Sequence, residues 1–402
     1  MSKKPLELQR QLTIHPTGLD RRLLFIILRC DSWMAYARQL IRALDCFHHN
    51  VNISDKSMKV TATVFLLLVS VIAVGQQKDK KTTHPPPGKL VDVGGYRLHL
   101  NCTGKNGPTV VLIAGAGDFS FDWGLMQPEV SRFTRVCSYD RAGLAWSDPG
   151  PTPRTMRQDA YELHTLLKTA RVQAPYVLVG HSIGGLIARV YAEQYPAEVA
   201  GMVLVDSTHE DTTLMYQGKL VRVREGAKGV AVPPVQTMQS SPPKPAAAED
   251  IEQFEFNQKM FGAPKTEPPF DKLPASIQAM RLWFRSQPPR AAAGPDFWAE
   301  ELQAMYTARA KSPHQLGDKP LVVLLAKPVG DNLPPGISPD DWKQINEEKR
   351  RQKVEIANLS RNSKLIVAER SGHHIQLDEP QVVTDAIRVV VGAVRRRSRL
   401  AP

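Results

Sequence analysis

Gly180-His181-Ser182-Ile183-Gly184 lies between an apolar run, Tyr176-Val177-Leu178-Val179, and the segment Leu186-Ile187-Ala188-Arg189-Val190-Tyr191-Ala192. The order is strand, sharp turn, helix, with a serine at the apex. Such a turn strains the serine backbone and projects its hydroxyl. The flanking glycines leave room where a Cβ would collide with the neighbouring strand or helix. The helix that opens directly behind adds free N–H groups and the positive end of its dipole, a setting suited to stabilising an oxyanion.

The rest of the chain repeats the same alternation. Thr109–Ala114, Arg135–Tyr139, Gly201–Val205 and Leu321–Leu325 are mostly apolar runs, as in parallel strands buried on both faces. Met156, Ala160, Leu163, Leu166, Leu167 and Ala170 recur at helical spacing, as do Val382, Val383, Ala386, Ile387 and Val390. Alternating strands and helices predict an α/β class with helices on both faces of a mostly parallel sheet.

Four further segments fall in order around the serine turn. Thr109–Ala114 runs into Gly115-Ala116-Gly117 and then Trp123; Asp140-Arg141-Ala142-Gly143-Leu144-Ala145-Trp146-Ser147 follows the next strand. Gly201–Val205 ends in Asp206, and Ser371-Gly372-His373-His374 follows the strand Lys364–Val367 and precedes a helix opened by Pro380. With the chain order Ser…Asp…His, residues from about Leu90 to Val394 resemble an α/β-hydrolase with a serine nucleophile. The resemblance implies a sheet of about eight strands and a helical cap, or lid, inserted after the sixth.

It also implies roles. Ser182 is the expected nucleophile and His373 the base that activates it, since a hydroxyl attacks poorly until its proton is taken. The backbone N–H groups of Ala116 and Ile183 are the expected oxyanion donors. Ala114 stands where the family commonly has a histidine, a departure that backbone donation tolerates. The acid has two candidates: Asp206, at the end of the sixth strand, is preferred over Asp331, in the loop Gly330-Asp331-Asn332 after Leu321–Leu325. Asp206 could otherwise be a turn residue, and Asp331 a solvated one. His181 reads as a packing residue, His374 as a weaker rival of His373, and His99 and His164 as solvated or satisfied residues without evident partners.

The implied reaction is cleavage of a carboxylic ester, lactone or small amide through an acyl-enzyme. Dehalogenases and epoxide hydrolases of this fold use an aspartate at the nucleophile position, which Ser182 disfavours. A proline-type aminopeptidase would need an acidic pocket for the substrate amine, for which Glu252 and Glu255 are available. A lyase using the same triad and a non-catalytic binding protein on the same scaffold are the other readings. No phosphate-binding glycine loop and no zinc-like cysteine or histidine spacing is present, so no cofactor and no metal is expected.

The segment 207–319 is the expected lid, with helical stretches at Asp250–Phe261, Pro274–Ser286 and Asp296–Ala310 separated by proline-rich joints. Its apolar residues Phe254, Phe256, Met260, Phe261, Met280, Leu282, Trp283, Phe284, Trp298 and Met305 are candidates for a substrate pocket or for packing. The core is expected over 89–206 and 320–394.

Residues 1–57 carry no motif of this kind and read as an extension outside the mature protein. Met58-Lys59 precedes the uncharged apolar run Val60–Gly75, which ends in small residues. Over 58–75 this is the pattern of a secretory signal peptide starting at Met58. Retained instead of cleaved, the run is short for a membrane anchor of about 20 residues. Either way the protein is expected to be exported, periplasmic or secreted, with membrane association possible through this run. Residues 76–88 read as an exposed linker. The net charge of +12 over 402 residues is dispersed, which argues against nucleic acid as a partner and leaves a small-molecule substrate. Its sharpest cluster, Arg395-Arg396-Arg397-Ser398-Arg399, reads as a solvated tail over 395–402.

Starting at Met58 leaves two cysteines, Cys102 and Cys137. In the strand order of α/β-hydrolases, the second and fourth strands are neighbours. The resemblance therefore brings Cys102 and Cys137 within reach of a disulfide in an oxidising compartment, with two ordinary buried thiols as the alternative and strand register deciding between them.

Overall fold

A computed structural model describes residues 84–216, 219–291, 296–327 and 337–401. An antiparallel hairpin opens the sheet, β1 (Lys89–Asp92) and β2 (Arg97–Thr103). Its turn is held by Asp92 Oδ1, which accepts from Gly94 N–H at 2.8 Å and Gly95 N–H at 3.0 Å. The remaining strands are β3 (Thr109–Ile113), β4 (Val136–Tyr139), β5 (Tyr176–His181), β6 (Val199–Val205), β9 (Leu321–Ala326) and β10 (Ser363–Ala368). Eight strands pair in the order β1-β2-β4-β3-β5-β6-β9-β10. Every pairing from β4 onward in that order is parallel, and the hairpin is attached antiparallel through β2 and β4.

Strand alternation divides the core in two. Val111, Ile113, Leu178, Met202 and Leu204 face α2 (Met156–Thr169) and α3 (Ile183–Gln194), meeting Leu163, Leu167, Leu186, Ile187 and Tyr191. Val110, Leu112, Val177, Val179, Val203 and Val205 face the other way, onto Val130 of α1 (Gln127–Ser131) and Val383, Ile387 and Val390 of α9 (Pro380–Arg396). Burying each such side chain contributes roughly 1.5–3 kcal/mol. Both faces are used, which is why these strands read as unbroken apolar runs.

Between β6 and β9 the chain forms a two-stranded hairpin, β7 (Thr213–Tyr216) with β8 (Lys219–Arg222). Helices α4 (Ala248–Phe261), α5 (Ala275–Arg285) and α6 (Trp298–Lys311) follow, at the three expected places. Glu301 of α6 ties this insertion to the core, accepting from Met156 N–H at 2.8 Å and Arg157 N–H at 3.0 Å at the start of α2. Met305 and Trp298 join the core, and Met280 and Phe284 pack with Phe119, Phe121 and Trp146. Phe256, Met260 and Phe261 remain exposed.

Several elements have no sequence counterpart, among them β1, α1, the β7–β8 hairpin and α7 (Pro339–Ile356), which precedes β10. Ile345, Gln352 and Ile356 are the buried residues of α7, so it lacks the apolar stripe that betrays a helix. Its start is signalled instead by Ser338, whose side chain accepts from Asp341 N–H, with Pro339 just inside. The short α8 (Ile375–Asp378) completes the set.

Several local expectations are corrected. His99 is fully buried and partnered: Nδ1 lies 2.8 Å from Asp140 Oδ2, and Nε2 bonds the Pro87 carbonyl. His164 lies 3.1 Å from Glu198 Oε2 and stacks on Tyr195. The end of the presumed exposed linker is docked, since the His84 carbonyl accepts from Trp146 Nε1 at 2.8 Å. Arg395 to Arg399 are exposed, and two groups of the tail touch the core. Arg395 donates to the carbonyls of Gly107 and Phe133 at 2.9 and 2.8 Å, and Leu400 N–H to Asn362 Oδ1 at 2.9 Å. Free carbonyls at the end of the sheet attract these groups.

Cys102 and Cys137 stand directly opposite in the β2–β4 register and form a disulfide. The apolar run 60–75 and Asp331 lie outside the described residues. Among the described residues, no helix is long and apolar enough to cross a membrane.

Candidate active site

Ser182 sits between β5 and α3 with φ 54° and ψ −124°, a left-handed φ that costs a non-glycine residue of order 1–3 kcal/mol. The surrounding packing holds it there. Ser182 N–H donates to the Val205 carbonyl at 3.2 Å, and its own carbonyl accepts from Gly185 and Thr208 at 3.0 and 3.1 Å. A Cβ on Gly180 would lie 2.5 Å from the Gly184 carbonyl oxygen, and one on Gly184 would lie 2.3 Å from that of Ile113. The glycines are thus a consequence of close backbone approach.

Ile183 is the first residue of α3, so its N–H has no intrahelical acceptor. Ala116, in the loop after β3, is exposed. That loop is clamped from behind by Arg141, which donates to the carbonyls of Ala114 and Gly115 at 2.5 and 2.8 Å.

Asp206 follows the last residue of β6, is 3% exposed, and also has a positive φ, 41°. His373 Nδ1–H donates to Asp206 Oδ2 at 2.6 Å. The other oxygen, Oδ1, accepts from Ala326 N–H at 3.1 Å and from the Lys353 ammonium of α7 at 2.5 Å. Burial alone would raise the Asp206 pKa. The His373 bond and the Lys353 charge outweigh it and hold the carboxyl well below the usual range.

The loop carrying His373 is anchored on both sides: Gly372 N–H donates to Asp378 Oδ2 at 3.0 Å and Ser371 Oγ to Glu379 Oε2 at 2.9 Å. Desolvation of the His373 ring lowers its pKa, opposed by the Asp206 bond and reinforced by the His181 ring beside it. The ring is neutral at neutral pH, although 47% of its side chain remains exposed. With Nδ1–H committed to Asp206, Nε2 carries the free lone pair.

Ser182 and Asp206 thus directly follow the carboxyl ends of β5 and β6, and His373 lies in the loop after the carboxyl end of β10. His374 turns away from Asp206 and faces Asp118, with Nε2 3.7 Å from Oδ2. His181 is more than packing: its Nε2–H donates to the His373 carbonyl at 3.0 Å, joining the serine turn to the histidine loop. Asp118 had no sequence signal, being one of many aspartates in loops. Lys353 was equally silent, as one cation on a polar helix. Arg281 of α5 is buried against the loop after β3, its Nη2 3.4 Å from Asp118 Oδ1 and its Nη1 3.4 Å from Asp122 Oδ2.

The sequence model of the alpha/beta hydrolase family matches residues 110–386. The chain belongs to that family. It is 27% identical over 306 residues to an AB hydrolase superfamily protein of Gibberella zeae, a match spanning 72% of this chain and 87% of that one. It is 34% identical over 119 residues to YqjL of Bacillus subtilis, spanning 29% of this chain and 47% of that one, so the match covers about half that relative's length. A match to the probable transporter efuK of Hormonema carpetanum, at 35% identity, covers 20% of that protein. Among solved structures, an enol-lactonase from Burkholderia xenovorans aligns over 76% of this chain and all of its own, at 14% identity and a TM-score of 0.47. The match over residues 110–386 establishes the family and its hydrolase fold for this chain.

Proposed function

We propose that this hydrolase is a serine hydrolase that cleaves a carboxylic ester, a lactone or a small amide through an acyl-enzyme. The observation that carries the reading is the 2.6 Å bond from His373 Nδ1 to Asp206. It fixes the tautomer in which Nε2 is a base, and the buried carboxylate stabilises the imidazolium formed on proton transfer. His373 takes the Ser182 proton as Oγ attacks the carbonyl carbon. The N–H groups of Ala116 and Ile183 hold the oxyanion, and the imidazolium then protonates the leaving alcohol or amine. Water enters by the same route to release the acid and restore Ser182.

The aminopeptidase reading is less well supported. Glu252 and Glu255 are exposed on α4, and the charged residue that the insertion brings to the loop after β3 is Arg281, a cation. A panel of short- and long-chain chromogenic esters, lactones and aminoacyl amides tests the assignment. Turnover of esters or lactones that vanishes in Ser182→Ala is expected, whereas turnover confined to prolyl amides would favour the peptidase. We place the enzyme outside the cytoplasm, a reading that the Cys102–Cys137 disulfide supports. N-terminal sequencing from the native host should begin near Gln76; intact Met1 in soluble cytoplasm would contradict it.

A further inference from the structure

Asp118 lies in the loop after β3, His181 at the end of β5 and His374 after β10, far apart in the chain, and the proposed acyl transfer uses none of them. His181 Nδ1 lies 3.3 Å from Asp118 Oδ2, and His374 Nε2 lies 3.7 Å from the same oxygen. The three donor atoms all fall within 4.8 Å of one another.

The protonation pattern inside this cluster is incomplete. A carbonyl oxygen only accepts, so the bond from His181 Nε2 to the His373 carbonyl puts the ring proton on Nε2. In the neutral ring, Nδ1 is then a bare lone pair. It is buried, with the His181 side chain 1% exposed, and it has no hydrogen-bond partner among the described residues. Opposite it stands a carboxylate oxygen. In that tautomer two acceptors face each other, a pair that either a proton on Nδ1 or a metal ion between them satisfies.

We propose that Asp118, His181 and His374 form a binding site for a divalent transition-metal ion of the zinc type. Tetrahedral zinc with bonds of about 2.0–2.1 Å sets its ligand atoms roughly 3.3 Å apart; the contacts to Asp118 Oδ2 are 3.3 and 3.7 Å, and the two imidazole nitrogens, within 4.8 Å of each other, close in by up to about 1.5 Å. Two imidazoles and one carboxylate suit zinc, whereas magnesium and calcium prefer all-oxygen sites. The outer partners are in place as well. The Nε2–H of His181 is held by a backbone carbonyl, and Asp118 Oδ1 accepts from Arg281 at 3.4 Å, which leaves Oδ2 for the ion. Gly115 keeps the space open, since a Cβ there would lie 2.7 Å from Nδ1 and 2.9 Å from Oδ2.

Each ligand is within two residues of a group in the proposed mechanism: Asp118 of Ala116, His181 of Ser182, His374 of His373. The ion clips these three loops together and takes no part in bond making. Its fourth position is left for water.

The test uses the untagged full chain, stripped with a chelator and titrated with Zn²⁺ by calorimetry, with Co²⁺ absorption as a second readout. One Zn²⁺ per chain is expected, with a raised Tm and a Co²⁺ spectrum showing imidazole ligation. His374→Gln and Asp118→Asn should weaken binding at least about 100-fold, while His314→Ala, at an exposed histidine distant in sequence, should leave it unchanged. Circular dichroism of the apo variants separates misfolding from ligand loss, and His374→Gln, at the more exposed ligand, guards against collapse of Asp118→Asn. Equal affinity in wild type and His374→Gln, or no binding above that of His374→Gln, would overturn the site. Fluorophosphonate labelling of Ser182 on the stripped protein tests the hydrolase reading separately.

Discussion

Lys353→Met should move the acid limb of the pH–rate profile upward. The Lys353 ammonium is 2.5 Å from Asp206 Oδ1, and Asp206 Oδ2 is 2.6 Å from His373 Nδ1. Across one carboxylate, the ammonium and the imidazolium are therefore at most about 7 Å apart. At an effective dielectric of about 20 their repulsion is about 2 kcal/mol, and solvent at the half-exposed ring cuts this to roughly half. The sign follows from the charges. A nearby cation disfavours imidazolium and lowers the His373 pKa, so removing it raises that pKa. A base that must be neutral then becomes active only at higher pH, and the acid limb of kcat/KM should rise by about one pH unit. Lys353→Arg should restore the wild-type limb. Lys349, also on α7, has its own pKa lowered by burial and by Lys353, so Lys349→Met is the control for a general loss of charge. The assay is kcat/KM against pH on the best ester of the panel. An unmoved limb, or one that falls, would refute the coupling of Lys353 to His373 through Asp206.

Asp206→Asn should lower kcat by a factor on the order of 10⁴, while Asp331→Asn stays within about twofold of wild type; steady-state kinetics of both variants decide which carboxylate serves the histidine. Gly184→Ala drives a Cβ to 2.3 Å from the Ile113 carbonyl oxygen and 2.8 Å from that of Ala114. Because backbone cannot rotate aside, urea unfolding should show a loss of at least about 2 kcal/mol. Replacing Cys102 and Cys137 together by serine opens a link of sequence separation 35, and should cost on the order of 3 kcal/mol in the same assay.

The parts of the site legible beforehand are those that local chemistry dictates. Ser182 is announced by the glycines that its turn demands, Asp206 by the apolar strand it terminates, and His373 by the glycine and helix on either side. The Cys102–Cys137 pair followed from strand order, which a family fold carries with it. Lys353 was not legible because α7 is mostly solvated, and which of its cations reaches Asp206 depends on how that helix docks. Asp118 and His374 were hidden for a related reason. Metal-like spacing is a local pattern, whereas these two meet His181 only after β3, β5 and β10 are brought into one sheet.

The central claim, that Ser182 is a nucleophile activated by His373, is tested most directly by covalent labelling. A fluorophosphonate probe should react with the wild-type protein, and peptide mapping should put the adduct on Ser182. Ser182→Ala should abolish labelling, keep the wild-type circular dichroism, and lower hydrolysis by a factor on the order of 10⁴ or more. An adduct elsewhere, or hydrolysis undiminished in Ser182→Ala, would contradict the account.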